Sequence, residues 1–245
     1  VERNADAIII APDDSIELVP YIEEAYASDI PIVLIDTIVN SEKYDICYMT
    51  ENFIAGYEAG EEMINLLRQK GYLDTDSVTI GIMVGSAYSQ TITERLAGFF
   101  QYWSENAPDS WVTHSDVMNS NGDIELAGEL IEEYMNAHPE VVGLFGTNNG
   151  PTQAMASYII DNERTDLTIM GFDYSDEMRT LVESETYSAA TILQRQYQMG
   201  YSGVTSALDL INGHTMNVKY VDTGVVVVSH DTLLDEEVAE AIAQY

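Results

Sequence analysis

Short apolar runs alternate along the chain with longer stretches in which apolar residues recur every three or four positions. The runs fall at 7–10, 31–35, 78–84, 141–145 and 167–172. Apart from Thr79 and Thr168 they hold no polar residue, which predicts strands covered on both faces. Helical periodicity predicts helices over 52–69, 90–105, 123–137, 151–161 and 196–211. In the first of these, Phe53, Tyr57, Met63, Ile64 and Leu67 form the apolar stripe, and Gly56 and Gly60 permit close packing. Strand followed by helix, repeated, is the rhythm of an α/β fold with doubly wound parallel sheets.

Polar residues follow the strand runs: Asp36-Thr37, Gly85-Ser86-Ala87, Thr147-Asn148-Asn149 and Asp173-Tyr174-Ser175. In open α/β sheets the ligand crevice lies beyond the carboxyl ends of the strands, so these tips are where function is expected. The acidic, turn-rich stretch 71–77 is the strongest internal boundary, and weaker breaks fall near Gln194-Arg195 and Asp222-Thr223-Gly224. The same α/β rhythm on both sides of 71–77 predicts two similar lobes.

Charge narrows the partners. The chain of 245 residues has 42 Asp and Glu against 9 Lys and Arg, a net charge of −33. Nucleic-acid binding requires clustered cations to displace counterions, and anionic headgroups repel such a surface, so no nucleic-acid partner is expected. An apolar fraction of 46% provides for a sizeable core. No run approaches the 18 apolar residues of a membrane span, and Val-Glu-Arg-Asn lacks signal-peptide character. A single cysteine, Cys47 in an apolar run, excludes an intrachain disulfide and reads as a small buried hydrophobe.

Catalytic signatures fail in turn. The loop after 78–84 lacks the Lys and second Gly of a phosphate loop, and Gly200-Tyr201-Ser202-Gly203 misses the nucleophile elbow by one residue. His114, His138, His214 and His230 are scattered without zinc-ligand spacing and read as surface histidines. In the stretch 119–123, taking Gly122 as the turn glycine of a calcium loop places Val117 and Gly128 where carboxylates are required. No enzyme, cofactor or metal is therefore expected.

There remain Asp36, Arg95, Asn148, Asp173 and Gln194. Carboxylates accept from sugar hydroxyls, amides both give and take, and guanidinium donates to ring and hydroxyl oxygens. Tyr88, Tyr174 or Tyr197 would offer aromatic faces to C–H patches. Spacing is equally compatible with helix N-caps at Asp36, Asn148 and Asp173 and a surface ion pair at Arg95.

Six passages, in order, carry a resemblance: Ala5-Asp6-Ala7-Ile8-Ile9-Ile10-Ala11-Pro12, Ile30-Pro31-Ile32-Val33-Leu34-Ile35-Asp36, Arg95-Leu96-Ala97-Gly98-Phe99, Ala137-His138-Pro139-Glu140-Val141, Gly171-Phe172-Asp173 and Ala190-Thr191-Ile192-Leu193-Gln194. Together they resemble the periplasmic sugar-binding proteins of the ribose and galactose type, whose two-lobed type I fold is shared with lactose-repressor-type regulators. The resemblance implies three crossings between the lobes, which would then comprise residues 1–72 with 195–222 and residues 73–194 with 223–245. The resemblance implies that Asp36 is the ligand carboxylate of the first lobe, that Arg95 grips the sugar from the second, and that Asn148, Asp173 and Gln194 complete the site. Thr37 stands where ribose binders carry Arg, and Asn121-Gly122 where they carry an aromatic, so ribose is not specified.

The resemblance further implies an extracytoplasmic solute-binding protein of an ABC importer, with a sugar ligand and a permease partner. The alternative is the effector domain of a repressor-type regulator. The family's first strand-helix-strand unit has no counterpart before Ala5 in the sequence given. That predicts an unpaired apolar strand edge at residues 7–10, self-association through it, and weak or absent sugar binding by the chain as given.

Overall fold

A computed structural model of the chain describes residues 4–12, 14–87 and 89–245. The described strands form two sheets, one of four strands and one of six. The smaller contains β1 (Ile8–Ile10), β2 (Ile32–Ile35), β3 (Ile46–Met49) and β9 (Tyr220–Asp222), all parallel and in that order. Its faces are filled by consecutive residues of one strand. Ile32 and Leu34 pack with Ile22 and Ala25 of α1 (Val19–Ala27), and Val33 packs with Ala207 of α7 (Gln196–Ile211). This two-sided burial is why the run at 31–35 shows no alternation.

The larger sheet has the order β10-β8-β7-β6-β4-β5. Its strands are β4 (Val78–Val84), β5 (Trp111–Asn119), β6 (Val141–Gly146), β7 (Thr168–Phe172), β8 (Ser188–Gln194) and β10 (Val225–Ser229). All pairs are parallel except β8 with β10. One face carries Met83, Leu144, Ile169 and Leu193, under α4 (Ile124–Ala137), α5 (Asn149–Asp161), α6 (Asp176–Val182) and α8 (Glu236–Gln244). The other face carries Ile80, Ile82, Phe145 and Ile192, under α2 (Asn52–Gln69) and α3 (Gln90–Asn106). Caps fix two of these helices: Asp123 accepts from the N–H groups of Glu125 and Leu126, and Ser175 from that of Met178.

The position of α2 corrects the expected boundary. Residues 52–69 belong to the second lobe, because Ala55, Ala59, Met63, Ile64 and Leu67 bury against the larger sheet. The first passage between sheets therefore lies at Thr50-Glu51, and 71–77 is a connection inside the second lobe. Glycine explains the attachment of α2. A Cβ on Gly56 would lie 2.0 Å from the carbonyl oxygen of Arg95, and one on Gly98 would lie 1.9 Å from that of Phe53. The two helix backbones thus touch at reciprocal glycines, which no other residue type allows. The chain returns to the smaller sheet through Gln194–Gln196 and leaves it again through Thr223-Gly224. Hydrogen bonds tie the three passages together: Thr50 Oγ1 donates to Gln194 Oε1 at 3.1 Å, the Glu51 N–H to Asp222 Oδ1 at 3.0 Å, and the Thr223 N–H to the Met49 carbonyl at 3.0 Å.

Candidate functional site

At the carboxyl ends of both sheets lies a cleft of about 660 Å³ whose lining includes Asp36, Arg95, Asn148, Asp173 and Gln194 together. A separate hollow of about 510 Å³ around Lys70, Tyr187 and Asp231 contains none of these five.

Asp36 and Asp173 are equivalent features of the two lobes. Each follows a strand directly and takes a left-handed conformation, at φ 65° and 69°. Each donates its N–H at 2.8 Å to a carbonyl of the next strand, Tyr48 for Asp36 and Ile192 for Asp173. Asp and Asn tolerate this backbone better than other non-glycine residues, and the bend turns the carboxylate off the strand into the cleft. Neither residue caps a helix.

Arg95, in the second turn of α3, is only 4% exposed and is no surface ion pair. Its Nε donates to Asn52 Oδ1 at 2.9 Å, Nη1 to the Thr147 carbonyl at 2.9 Å and Nη2 to Gln194 Oε1 at 2.7 Å. The guanidinium lies 4.1 Å over the Phe172 ring. Gln194 passes the connection on, its Nε2 donating to Asp173 Oδ1 at 3.0 Å, and Gln196 Nε2 donates to the same oxygen at 2.8 Å. Burial pushes the Asp173 carboxyl above the usual carboxylate range, against the pull of Arg95 and the Gln194 bond. Burial likewise lowers Arg95, opposed by the charges of Asp173 and Asp36. Since an arginine stays protonated, the site holds a permanent cation joined to a carboxylate through one amide.

Asn148 occupies the N-cap position of α5, yet its side chain makes no capping bond. Its amide lies against Gly85, where a Cβ would come within 2.4 Å. Of the aromatic candidates, Tyr174 is buried in the second-lobe core and Tyr197 is exposed and stacked on Tyr201, so neither lines the cleft. Tyr88 lies outside the described residues.

Asn52, Thr50 and Gln196 were not anticipated. All three stand at passages between the sheets. The signal for the first two was the polar stretch Thr50-Glu51-Asn52 after the apolar run Ile46-Cys47-Tyr48-Met49, which is β3.

Two α/β lobes with a polar cleft at their strand tips define a receptor of the type I periplasmic binding protein fold. The sequence matches the family described as periplasmic binding protein domain over residues 1–215, and the chain belongs to it. This is a family of solute-binding proteins rather than enzymes, with sugar-binding members among the relatives. A D-apiose import binding protein of Actinobacillus succinogenes is 24% identical over 96% of this chain and 70% of its own length. A ribose import binding protein of Bacillus subtilis is 21% identical over 87% of this chain and 65% of its own length. Among solved structures, a carbohydrate transporter solute-binding protein from Agrobacterium radiobacter in complex with D-arabinose superposes with a TM-score of 0.88. It is 23% identical, over 97% of this chain and 78% of that one. An ABC transporter solute-binding protein from Agrobacterium vitis with bound D-fucose gives a TM-score of 0.85 at 28% identity, over 97% and 79%.

Proposed function

We propose that the chain is an extracytoplasmic sugar receptor of an ABC importer, holding a monosaccharide or sugar-like ligand between its lobes and presenting it to a permease. The observation that carries this reading is the buried chain Arg95–Gln194–Asp173 at the cleft floor. Its groups are held in place before any ligand arrives, so binding costs little side-chain entropy. Arg95 uses three of its five N–H groups within the protein, which leaves two for ligand oxygens. Asp173 takes both amide donors on Oδ1, and a sugar hydroxyl has Oδ2 to donate to. Asp36 accepts from the first-lobe side, and Asn148, free of capping, both donates and accepts.

A ligand touching both carboxylates favours the closed arrangement of the lobes about the three passages. The relatives named above are import and solute-binding proteins, which weighs against the regulator alternative. The test is calorimetric titration with a panel of pentoses and hexoses. In a chain supplied with the family's first strand-helix-strand unit, one sugar should bind at micromolar or tighter affinity, and Arg95→Ala should abolish its heat. Absence of binding across the panel, or an Arg95→Ala affinity equal to wild type, would overturn the reading.

Self-association through the first lobe is part of the same proposal. Among the described strands β1 is an edge of the smaller sheet, Ile9 is 37% exposed, and α7 leaves Tyr197, Tyr201, Val204, Leu208 and Ile211 exposed in one stripe. Sedimentation equilibrium should give a mass above that of one chain. A monomer at all concentrations would remove this part.

A further inference from the structure

We infer that the second lobe carries a transition-metal site of the Zn²⁺ class, formed by His114, Asp116 and His138, with Glu140 supporting the His138 ring. These histidines are 24 residues apart in sequence, yet their ring centroids lie 4.0 Å apart. One ligand atom from each of His114, Asp116 and His138 falls within 4.8 Å of the others. Glu140 Oε1 lies 3.5 Å from His138 Nδ1 and 3.9 Å from His114 Nε2, and Asp116 Oδ2 lies 3.8 Å from His138 Nε2. An imidazole gives an ion one nitrogen, so His138 binds through Nε2, beside Asp116, and its Nδ1–H is left to donate to Glu140, which orients the ring. Ligand atoms about a tetrahedral ion with bonds of about 2.0–2.1 Å lie roughly 3.3 Å apart, so His138 and Asp116 need to close by only about half an ångström.

Backbone and packing both build this cluster. On β5, the outer strand of its sheet, Thr113 pairs with Ile80 and Val117 with Ile82, so residues 114–116 stand opposite Gly81 alone. Such a bulge re-aims side chains locally. α4 ends one residue before His138, and the turn that follows brings Glu140 to the same place. Tyr134 supplies the platform. It is 6% exposed, its ring lies 5.6 Å from that of His114 and 4.7 Å from that of His138, and it covers Gly81, where a Cβ would come within 2.7 Å of Tyr134 Cε1. Its buried hydroxyl has no hydrogen-bond partner among the described residues.

Two imidazoles with one carboxylate suit Zn²⁺, Cu²⁺ or Ni²⁺, whereas Ca²⁺ and Mg²⁺ take oxygen ligands alone. Binding through His114 Nε2 places the proton on Nδ1 and releases the 3.2 Å bond that Nδ1 accepts from the Asp116 N–H, an exposed group that water can satisfy. Residues 114–116 stand level with Gly81, three strand positions or about 10 Å before the cleft end of β4 at Val84, and neither histidine lines the cleft, so the site is separate from the proposed sugar cleft. A bound ion would tie the edge strand to the end of α4.

The test is calorimetric titration of the metal-stripped protein with Zn²⁺ in excess Ca²⁺, which occupies sites made of carboxylates only. One equivalent should bind. His114→Gln and His138→Gln should each weaken it by at least about tenfold to a hundredfold, and the double variant should abolish it. His214→Gln, at an exposed histidine near Asp209, should change nothing. In the unsubstituted protein, sub-stoichiometric Zn²⁺ should shift the NMR signals of His114 and His138 and leave those of His214 and His230 in place, a readout that needs no variant to fold. Absence of saturable binding, binding retained in the double variant, or shifts confined to other histidines would each overturn the site.

Discussion

Arg95 Nη2 donates to Gln194 Oε1 at 2.7 Å, and this bond joins the middle of the proposed site to a passage between the lobes. Gln194 is the last residue of β8, and the same oxygen accepts from Thr50 at the first passage. A movement of the lobes about these passages would therefore be felt at the guanidinium, and a ligand held by Arg95, as proposed, would act back on them.

Replacing Gln194 by Leu removes an acceptor from Arg95 and Thr50 and a donor from Asp173, all buried. Each group left unsatisfied costs about 1–3 kcal/mol. Urea denaturation should show a loss of at least about 2 kcal/mol, and a variant as stable as wild type would show that water replaces the amide.

Asp173→Asn should separate stability from binding. Asparagine tolerates the left-handed backbone at this position and keeps a carbonyl for Gln194 and Gln196, so the fold loses little. The folded carboxyl sits above its unfolded value, so stability is fully present below about pH 4 and is lost as the pH rises through the folded value. Asn cannot ionise, and its stability profile above pH 4 should be flatter than that of wild type. Sugar affinity should nonetheless fall by about 1.5–3 kcal/mol, the worth of a charge-assisted bond. Unchanged affinity by calorimetry would contradict the assigned contact.

Gly56→Ala and Gly98→Ala should destabilise by about 1–3 kcal/mol or more, because the new methyl groups meet backbone that cannot rotate away. Gly128→Ala, inside α4 with nothing within 4 Å of the added carbon, should stabilise by about 0.5–1 kcal/mol. Thermal melts of the three variants distinguish interhelical contact from helix propensity. Equal shifts at all three positions would reject the contact.

Cys47 should be inert in the native state. Its side chain is fully buried, and burial, with a smaller contribution from the Asp36 charge, pushes the thiol up to about 12. Alkylation by iodoacetamide at pH 8 should be slow and should accelerate only on unfolding. The raised value contributes stability below about pH 9 that is lost as the pH rises toward 12. The stability gap between wild type and Cys47→Ala should therefore narrow above pH 9, and a gap independent of pH would refute the assignment.

The sequence by itself determined the α/β class, the five long helices, the sandwiched strands and the polar tips from which Asp36, Asn148, Asp173 and Gln194 project. These are properties of local period and two-sided burial, which a strand such as Val78–Val84 records in every residue but Thr79. It was silent on β5, whose residues 114–116 bulge at a sheet edge, and on β3, a four-residue run that looked like the surroundings of a cysteine. It also left equal weight on capping and ligand roles, because Asn148 before a helix reads the same whether or not its amide turns to the N–H groups. Tertiary structure decided that α2 joins the second lobe, since apolar periodicity says that a face is buried but not against which sheet. The backbone contact of Gly56 with Arg95 makes that choice. Tertiary structure alone also brought His114 to His138 and Asn52 to Arg95, pairs separated by 24 and 43 residues. Contacts at that range are set by how the packed elements meet, and no local pattern carries them.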